Sequence, residues 1–455
     1  MSDRSTIFAL SSGRPPSAIG VVRISGPNAG VALKALIGRI PEPRKAALAR
    51  VRDPASGEVI DEALALWFPG PHSETGEDVA ELQLHGGQAV IAGAFAALGR
   101  IEGCRAAEAG EFTRRAFQNG KLDLTRVEGL ADLIAAETGA QRRQALRQLK
   151  GLIGERAEEW RRELIEALAL VEARIDFSDE GDVPENLIEP ALFVAQQLRS
   201  KIAACLTDGG RGERLREGLV VAIAGPPNAG KSTLLNRMAR REAAIVSPYP
   251  GTTRDVIEVH LDLEGYPATL LDTAGIRESS DPVEQEGVRR ARERAATADL
   301  ILWVTEASAD EATTDEFGQR AMKSEVWSIR NKIDLVAGGL SKTESPLVKD
   351  RINRSFAISA WSGLGMDSVA GALAAFARNY FAAGESALVT RLRHRQAFEG
   401  TIAALDRALG HGATGREELI AEDLRSAATI LGRLTGRVDV EDILDVIFRD
   451  FCIGK

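Results

Sequence analysis

The stretch GPPNAGKS, Gly225 to Ser232, decides how the chain must be read. It fits the pattern G-x-x-x-x-G-K-[ST], in which two glycines let a loop curl until backbone N–H groups point at phosphate oxygens. Lys231 reaches the outer phosphates, and the Ser232 hydroxyl is a hard oxygen suited to Mg2+. Before the loop runs GLVVAIAG (218–225), a continuous apolar segment of the kind found in buried parallel strands. After it, KSTLLNRMARRE has helical texture, so the positive end of a helix dipole meets the phosphates. The order strand, loop, helix predicts an α/β nucleotide-binding domain.

The segments that follow name the nucleotide. LLDTAG (270–275) ends an apolar strand on Asp272, a carboxylate able to hold a metal through water, and Gly275 offers an N–H to a terminal phosphate. NKID (331–334) closes another strand. Guanine presents adjacent N1–H and N2–H2 donors, and the Asp334 carboxylate accepts both, which adenine cannot match. Asn331 and Lys332 brace that side, and the dipeptide Ser359-Ala360 supplies an amide for the guanine O6. Within GTTRD (251–255), Thr253 completes a Mg2+ shell when GTP is bound. The constellation predicts a GTPase domain.

The hydrolytic machinery is less legible. Many GTPases orient water with a Gln after the DxxG glycine; here Ile276 stands there, and its side chain cannot hydrogen-bond water. Glu278 and Glu284 follow as carboxylate candidates, and Arg254 and Arg277 as arginine-finger candidates, with nothing in the residues themselves to choose among them.

The 455 residues allow two to four domains of about 100–200 residues each. A net charge of -9 argues against a surface that grips nucleic acid all round, while leaving room for a local basic site. Cys104, Cys205 and Cys452 are far apart, without the CxxC spacing of a zinc site, and fit a reducing compartment. No apolar run approaches the roughly 20 residues of a membrane span. The opening MSDRSTIFAL shows no signal or transit pattern, so the expectation is cytoplasmic.

Residues 1–120 mix strands (TIFAL, AIGVVRIS, EALALWF, DVAELQLH) with helices (GVALKALIG, QAVIAGAFAALGRI), an α+β pattern. From 121 to 217 the texture is helical and charged, with Val127, Leu130 and Ile134 at helical spacing, broken by the acidic loop DFSDEGDVPE (176–185). Alternating α/β texture fills 218–383, and helices return over 384–455. The simplest architecture is an α/β domain inserted into a helical domain built from two stretches. GPNAG (26–30) echoes the phosphate loop but lacks its Lys and Ser, and reads as a turn.

Other stretches extend the picture: GVVRISGP (20–27), TGEDVAELQLHGG (75–87), GEFTRRAFQNGKLDL (110–124), PGTTRD, DTAGIRE with Glu284 downstream, and the closing FCIGK (451–455). With the inserted G domain, they make the chain resemble the MnmE (TrmE) family of tRNA-modification GTPases over essentially its full length. One departure is Pro226, where the family often has Arg; it alters a side chain beside the loop and no backbone donor.

The resemblance implies three parts: an α+β folate-binding-like N-terminal domain that also dimerises, an all-α central domain, and an inserted Ras-like α/β P-loop GTPase domain. It extends the GTP contacts to Asn228, Ala229, Gly230, Lys231, Ser232, Thr233, Ser247, Thr252, Thr253, Asp272, Thr273, Ala274, Gly275, Asn331, Lys332, Asp334, Ser359 and Ala360. It implies that K+ stands in for an arginine finger between paired G domains, held by Asn228 and the loop SPYPGTT through Ser247, Tyr249 and Thr252. Hard oxygen ligands suit such an ion. Glu284 becomes the catalytic carboxylate, acting on the attacking water.

By the same resemblance, Arg23, Glu81, Lys121 and Lys455 contact a 5-formyl- or methylene-tetrahydrofolate. Cys452 folds toward that site, where a thiolate of lowered pKa serves the one-carbon chemistry. On the residues alone, His85 in HGG reads as structural. The implied function is K+-stimulated GTP hydrolysis coupled to installing a carboxymethylaminomethyl-type group at C5 of the wobble uridine of tRNAs. The implied assembly is a homodimer joined by an FAD-dependent MnmG-type partner in a heterotetramer. RRQALRQLK (142–150) and RLRHR (391–395) are candidate tRNA contacts, read more simply as solvated helix faces. The rival expectation is a regulatory GTPase switch for RNA or ribosome assembly, without modification chemistry of its own.

Overall fold

A computed structural model describes residues 5–177, 186–207, 210–240, 258–272, 298–308, 324–336, 352–382, 387–412 and 415–438, and near the end of the chain 444, 447–448, 451 and 454.

Six strands at the start of the chain make one sheet: β1 (Thr6–Leu10), β2 (Ser17–Ser25), β3 (Ala47–Arg52), β4 (Val59–Phe68), β5 (Val79–Gly86) and β6 (Cys104–Ala106), in the order β3-β4-β5-β2-β1-β6. Neighbours run antiparallel except β1 and β6. Alternation sends Val22, Ile24, Ala80, Leu82 and Leu84 to one face, where α1 (Ala29–Ile37) and α2 (Gln88–Gly99) cover them with Leu33, Leu36, Ile91 and Leu98. The other face carries Ile7 and Ala9, packed with Phe112 of α3 (Glu111–Gln118). β3 and β6 escape a reading of apolar runs: β3 is an edge strand whose first four residues face water or nearly so, and β6 is a three-residue strand. GPNAG forms the turn into α1.

The helical texture from 121 resolves into α4 (Leu124–Ala135), α5 (Gly139–Leu149), α6 (Leu152–Asp176), α7 (Ile188–Leu206) and α8 (Arg211–Glu217). The break between α5 and α6 falls at Gly151, whose φ of +99° suits glycine and ends a helical run.

The α/β segment holds β7 (Leu219–Ala224), α9 (Lys231–Ala239), β8 (Glu258–Leu263), β9 (Tyr266–Asp272), β10 (Leu300–Glu306), β11 (Glu325–Asn331), β12 (Ile352–Ala357) and α10 (Met366–Tyr380). Its sheet has the order β12-β11-β10-β7-β9-β8, parallel apart from β8. Val221, Ile223, Leu270, Leu302, Val304 and Ile329 form a core with Leu234 and Met238 of α9 and Val369 and Leu373 of α10. β7 lies between β9 and β10, so the chain leaves it in opposite directions; the crevice at its carboxyl end is where open α/β sheets bind ligands.

Two further helices follow, α11 (Leu392–Gly412) and α12 (Glu417–Thr435). α12 runs against α6, with ion pairs Arg425–Glu172 at 2.7 Å and Arg174–Glu417 at 3.7 Å, and both helices turn buried apolar stripes inward. These helices flank the α/β segment in sequence, so that segment interrupts a helical domain. The chain divides into two compact units: Met1–Ala131 with Gln148–Gln196 and Ala403–Lys455, and Asp132–Arg147 with Gln197–Ile402. Among the described residues no helix is long and apolar enough to cross a membrane.

Candidate functional site

The loop after β7 is held in a conformation that few residues allow. Gly225 has φ +141°, and a Cβ there would sit 2.0 Å from the Val304 carbonyl oxygen. Gly230 has φ +94°, with Asn331 Nδ2 at 2.3 Å from the place of its missing Cβ. Between them Asn228, exposed, adopts φ +63°, a left-handed turn that Asn tolerates better than most side chains. The loop delivers Lys231 and Ser232 as the first residues of α9, where unpaired N–H groups gather.

Side chains then lock the frame. The Lys231 ammonium donates to the carbonyl oxygens of Gly225 at 2.9 Å and Pro226 at 2.8 Å, so it lies over the curl of its own loop. Ser232 Oγ donates to Asp272 Oδ2 at 2.8 Å, joining the loop to the end of β9. Asn331, at the end of β11 and buried, donates through Nδ2 to the Ala229 carbonyl at 2.9 Å and accepts the Ala360 N–H on Oδ1 at 2.9 Å. A buried amide must satisfy both ends, and this one does so by tying the phosphate loop to the Ser359-Ala360 loop. The amide expected at the guanine O6 is therefore given to Asn331. Lys332 takes φ +65° and pairs with the Glu306 carboxylate, while Asp334 is exposed in the short helical turn after it.

A second cluster sits on the Phe112 face of the first sheet. The register of β2 and β5 sets Arg23 opposite Glu81, and Arg23 Nε donates to Glu81 Oε1 at 3.0 Å. Its Nη1 meets Glu74 Oε2 at 2.7 Å, and its guanidinium lies 5.9 Å from the centroid of the Phe112 ring. The loop bearing Glu74 is pinned from behind. Ser25 Oγ donates to Glu77 Oε2 at 2.7 Å, Arg115 Nη1 reaches Glu77 Oε2 at 3.1 Å, and Asn119 Nδ2 donates to the Thr75 carbonyl at 2.7 Å. Arg115 also donates to Glu111 Oε1 at 2.9 Å, and Arg105 to the same oxygen at 2.7 Å. Burial works against the Glu111 carboxylate, but hydrogen bonds from Arg105, the Glu108 N–H and Arg115 hold its pKa below the ordinary value. A Cβ on Gly76 would lie 3.5 Å from Lys121 Cε, which places Lys121 beside the same loop.

Phe448, Phe451 and Gly454, near the end of the chain, come to this neighbourhood. Phe448 and Phe451 pack with Val127, and the Phe448 carbonyl oxygen lies 2.7 Å from where Gly110 would carry a Cβ. The Gly454 carbonyl accepts from Ser11 Oγ at 2.8 Å, and at φ +100° Gly454 lies so close to the Leu10 carbonyl that a Cβ would be 2.2 Å from it. Ala9, one residue before Leu10, is the β1 partner of Arg23.

The sequence is similar to those of known proteins. A family profile described as the GTP-binding protein TrmE N-terminus matches residues 6–121, and one described as the MnmE helical domain matches residues 124–452. A tRNA modification GTPase MnmE of Bradyrhizobium sp. (strain ORS 278) is 60% identical over 99% of this chain and 99% of its own. The protein of that name from Rhodopseudomonas palustris (strain BisB18) is 58% identical over 100% of both. The chain belongs to the MnmE family. Among solved structures, the G domain of the T. maritima FeoB iron transporter aligns with 34% of this MnmE-family chain and 98% of its own, at 24% identity and a TM-score of 0.25.

For this MnmE-family chain the sequence-derived residues divide cleanly. Asn228, Ala229, Gly230, Lys231, Ser232, Thr233, Asp272, Asn331, Lys332, Asp334, Ser359 and Ala360 lie at or just after the carboxyl ends of β7, β9, β11 and β12, with Lys231, Ser232 and Thr233 in the first turn of α9. Arg23 and Glu81 touch, and Lys121 stands beside the loop between β4 and β5. Ser247, Tyr249, Thr252, Thr253, Thr273, Ala274, Gly275, Glu284, Cys452 and Lys455 lie outside the described residues, as do Arg254, Ile276, Arg277 and Glu278. His85 is exposed and pairs with Asp61 at 2.8 Å. In RLRHR, Arg391 pairs with Asp132 and Arg395 with Glu213, which neutralises two of its charges.

The donor sets fit the groups expected of them. A hydroxyl and a carboxylate side by side, Ser232 and Asp272, suit a small hard cation such as Mg2+. Asn228 offers an exposed amide oxygen suited to K+. A carboxylate braced by a guanidinium, with a lysine nearby, suits a ligand that carries both an amide-like edge and an anionic tail. Sequence reasoning missed Glu74, Glu77, Glu111, Arg115 and Ser11. Glu111 and Arg115 share a face of α3 at i and i+4, a signal visible in EFTRR, but nothing local marks Glu77, the second partner of Arg115.

Proposed function

We propose that this chain is a cytoplasmic GTPase that acts in tRNA modification. GTP binds at the carboxyl end of β7. Lys231 would leave its own carbonyls for the outer phosphates, Ser232 and Thr253 would hold Mg2+ with Asp272 acting on it through water, and Asp334 would accept both donor groups of guanine. K+, when bound, offsets charge on the departing phosphate, with Asn228, Ser247, Tyr249 and Thr252 as its holders. Glu284 orients water where Ile276 cannot. The observation that carries this reading is the Asn331 bridge, which joins a phosphate loop and a base loop through one buried amide.

The second cluster is the site of a tetrahydrofolate, with Glu81 on the pterin edge and Arg23, Lys121 and Lys455 balancing charge. Cys452 enters that site with the last residues of the chain. With an FAD-dependent MnmG-type partner, a homodimer of this chain installs a carboxymethylaminomethyl-type group at C5 of the wobble uridine, and GTP turnover drives its domains. Domains at 1–120, 121–217 with 384–455, and 218–383 divide this labour.

The test is GTP turnover by the purified chain with Mg2+ in K+ and in Na+ at equal ionic strength. The expected result is hydrolysis at least tenfold faster in K+, of GTP and not ATP, in line with the size of charge stabilisation at a leaving phosphate. Equal rates in the two salts would remove K+ from the reading; absence of GTP turnover in both would remove the GTPase.

A further inference from the structure

We propose that Trp361 is a base-contacting residue, with its indole against the face of guanine and its backbone N–H directed to the O6 edge. The proposal rests on the GTP-binding reading and deepens it.

Trp361 is 82% exposed, whereas Trp67, Trp160 and Trp327 are at most 8% exposed and Trp303 is partly buried. This one large aromatic surface stands in water directly after Ala360, whose N–H is fixed on Asn331 at 2.9 Å. Trp361 therefore begins where the frame joining the phosphate and base loops ends. Its own N–H has no partner among the described residues, while the neighbouring amides of the loop are used. Ser359 N–H donates to the Leu364 carbonyl at 2.9 Å, Gly363 N–H to the Ser359 carbonyl at 2.8 Å, and Ser362 N–H to Ser359 Oγ at 3.1 Å.

The loop is also braced from the last turn of α9. Arg237 of α9 donates through Nη2 to the Ser362 carbonyl at 2.7 Å, in space left open by Gly363, where a Cβ would lie 2.2 Å from that nitrogen. These bonds fix the backbone from which the exposed indole projects. With the Ala360 amide committed to Asn331, the next N–H in the chain is that of Trp361. An aromatic plane beside that N–H is the surface a purine face takes up, and such stacking is tolerant of changes at the base edge.

The experiment is titration of the full chain with GDP and with IDP, which lacks the 2-amino group, alongside Trp361→Ala and Trp361→Phe. Trp361→Ala is expected to weaken both nucleotides by about tenfold, leaving the GDP-to-IDP ratio unchanged, as loss of stacking requires. Trp361→Phe is expected to recover most of the affinity. The unaltered chain is expected to change its tryptophan emission on binding GDP, and Trp361→Phe to lose that change. Wild-type affinity in Trp361→Ala, or an emission change that persists in Trp361→Phe, would overturn the proposal; so would a loss confined to GDP. If the unaltered chain binds neither nucleotide, the GTP-binding reading falls and this inference with it.

Discussion

The phosphate loop and the Arg23 cluster are built by opposite means. The loop compresses its function into eight consecutive residues, and its geometry is enforced by backbone: glycines at φ +141° and +94° and an Asn at +63°. The cluster gathers single side chains from β2, β5, α3 and the loop after β4, and it is enforced by paired charge. A site made of backbone fails when a side chain intrudes. A site made of ion pairs fails when one partner is removed and the other is left buried without it.

Three substitutions sharpen that contrast. The largest effect is expected from Lys231→Ala. It removes the cation of the phosphate loop and should lower GTP turnover by about 100- to 1,000-fold, measured as phosphate release, with the thermal unfolding of the first sheet unmoved. Should folding fail as well, the loop would be a structural element first and a phosphate site second.

Glu111→Gln comes next, as a change of stability. Glu111 accepts from Arg105 and Arg115, so removing its charge leaves two guanidiniums short of a partner and should cost about 3 kcal/mol in urea unfolding at pH 7. The pH dependence has a fixed sign. The folded pKa of Glu111 lies below the ordinary 4.5, so its contribution is whole above that value and is lost as pH falls through the folded pKa. The unaltered protein should therefore lose stability in acid more steeply than Glu111→Gln; parallel curves would show that the network is not what pins the loop.

Smaller again is Glu81→Gln, which keeps shape and removes charge. Tetrahydrofolate affinity should fall about tenfold by titration calorimetry while GTP turnover is unchanged, the size expected when a hydrogen bond to a charged group is lost. Unchanged folate affinity would return Glu81 to the role of an internal partner for Arg23.

The same contrast explains what could be read in advance. GPPNAGKS, LLDTAG and NKID are legible because each concentrates its chemistry in a few neighbouring residues, and the strands around them are plain apolar runs. The insertion of the α/β domain was legible from a change of texture near residue 218. The Arg23 cluster was only half legible: Arg23 and Glu81 follow from the resemblance as ligand contacts, but their pairing, Glu74 and the Glu77–Arg115–Glu111 chain need the register of β2 on β5 and the placing of α3. The seat of Gly454 on Leu10 and Ser11 spans 443 residues of sequence, and no local pattern announces it. β3 and β6 were lost because edge and very short strands carry little burial to mark them.

The central claim is that two separately built sites serve one reaction, and tRNA nucleoside analysis in cells tests it most directly. The chain would be replaced in turn by Ser232→Ala, which strips the Mg2+ hydroxyl, and by Gly454→Ala, whose Cβ would meet the Leu10 carbonyl at 2.2 Å. The account predicts that both lose the modified wobble uridine, although only Ser232→Ala loses GTP turnover when purified. Normal wobble modification in Gly454→Ala cells would contradict it.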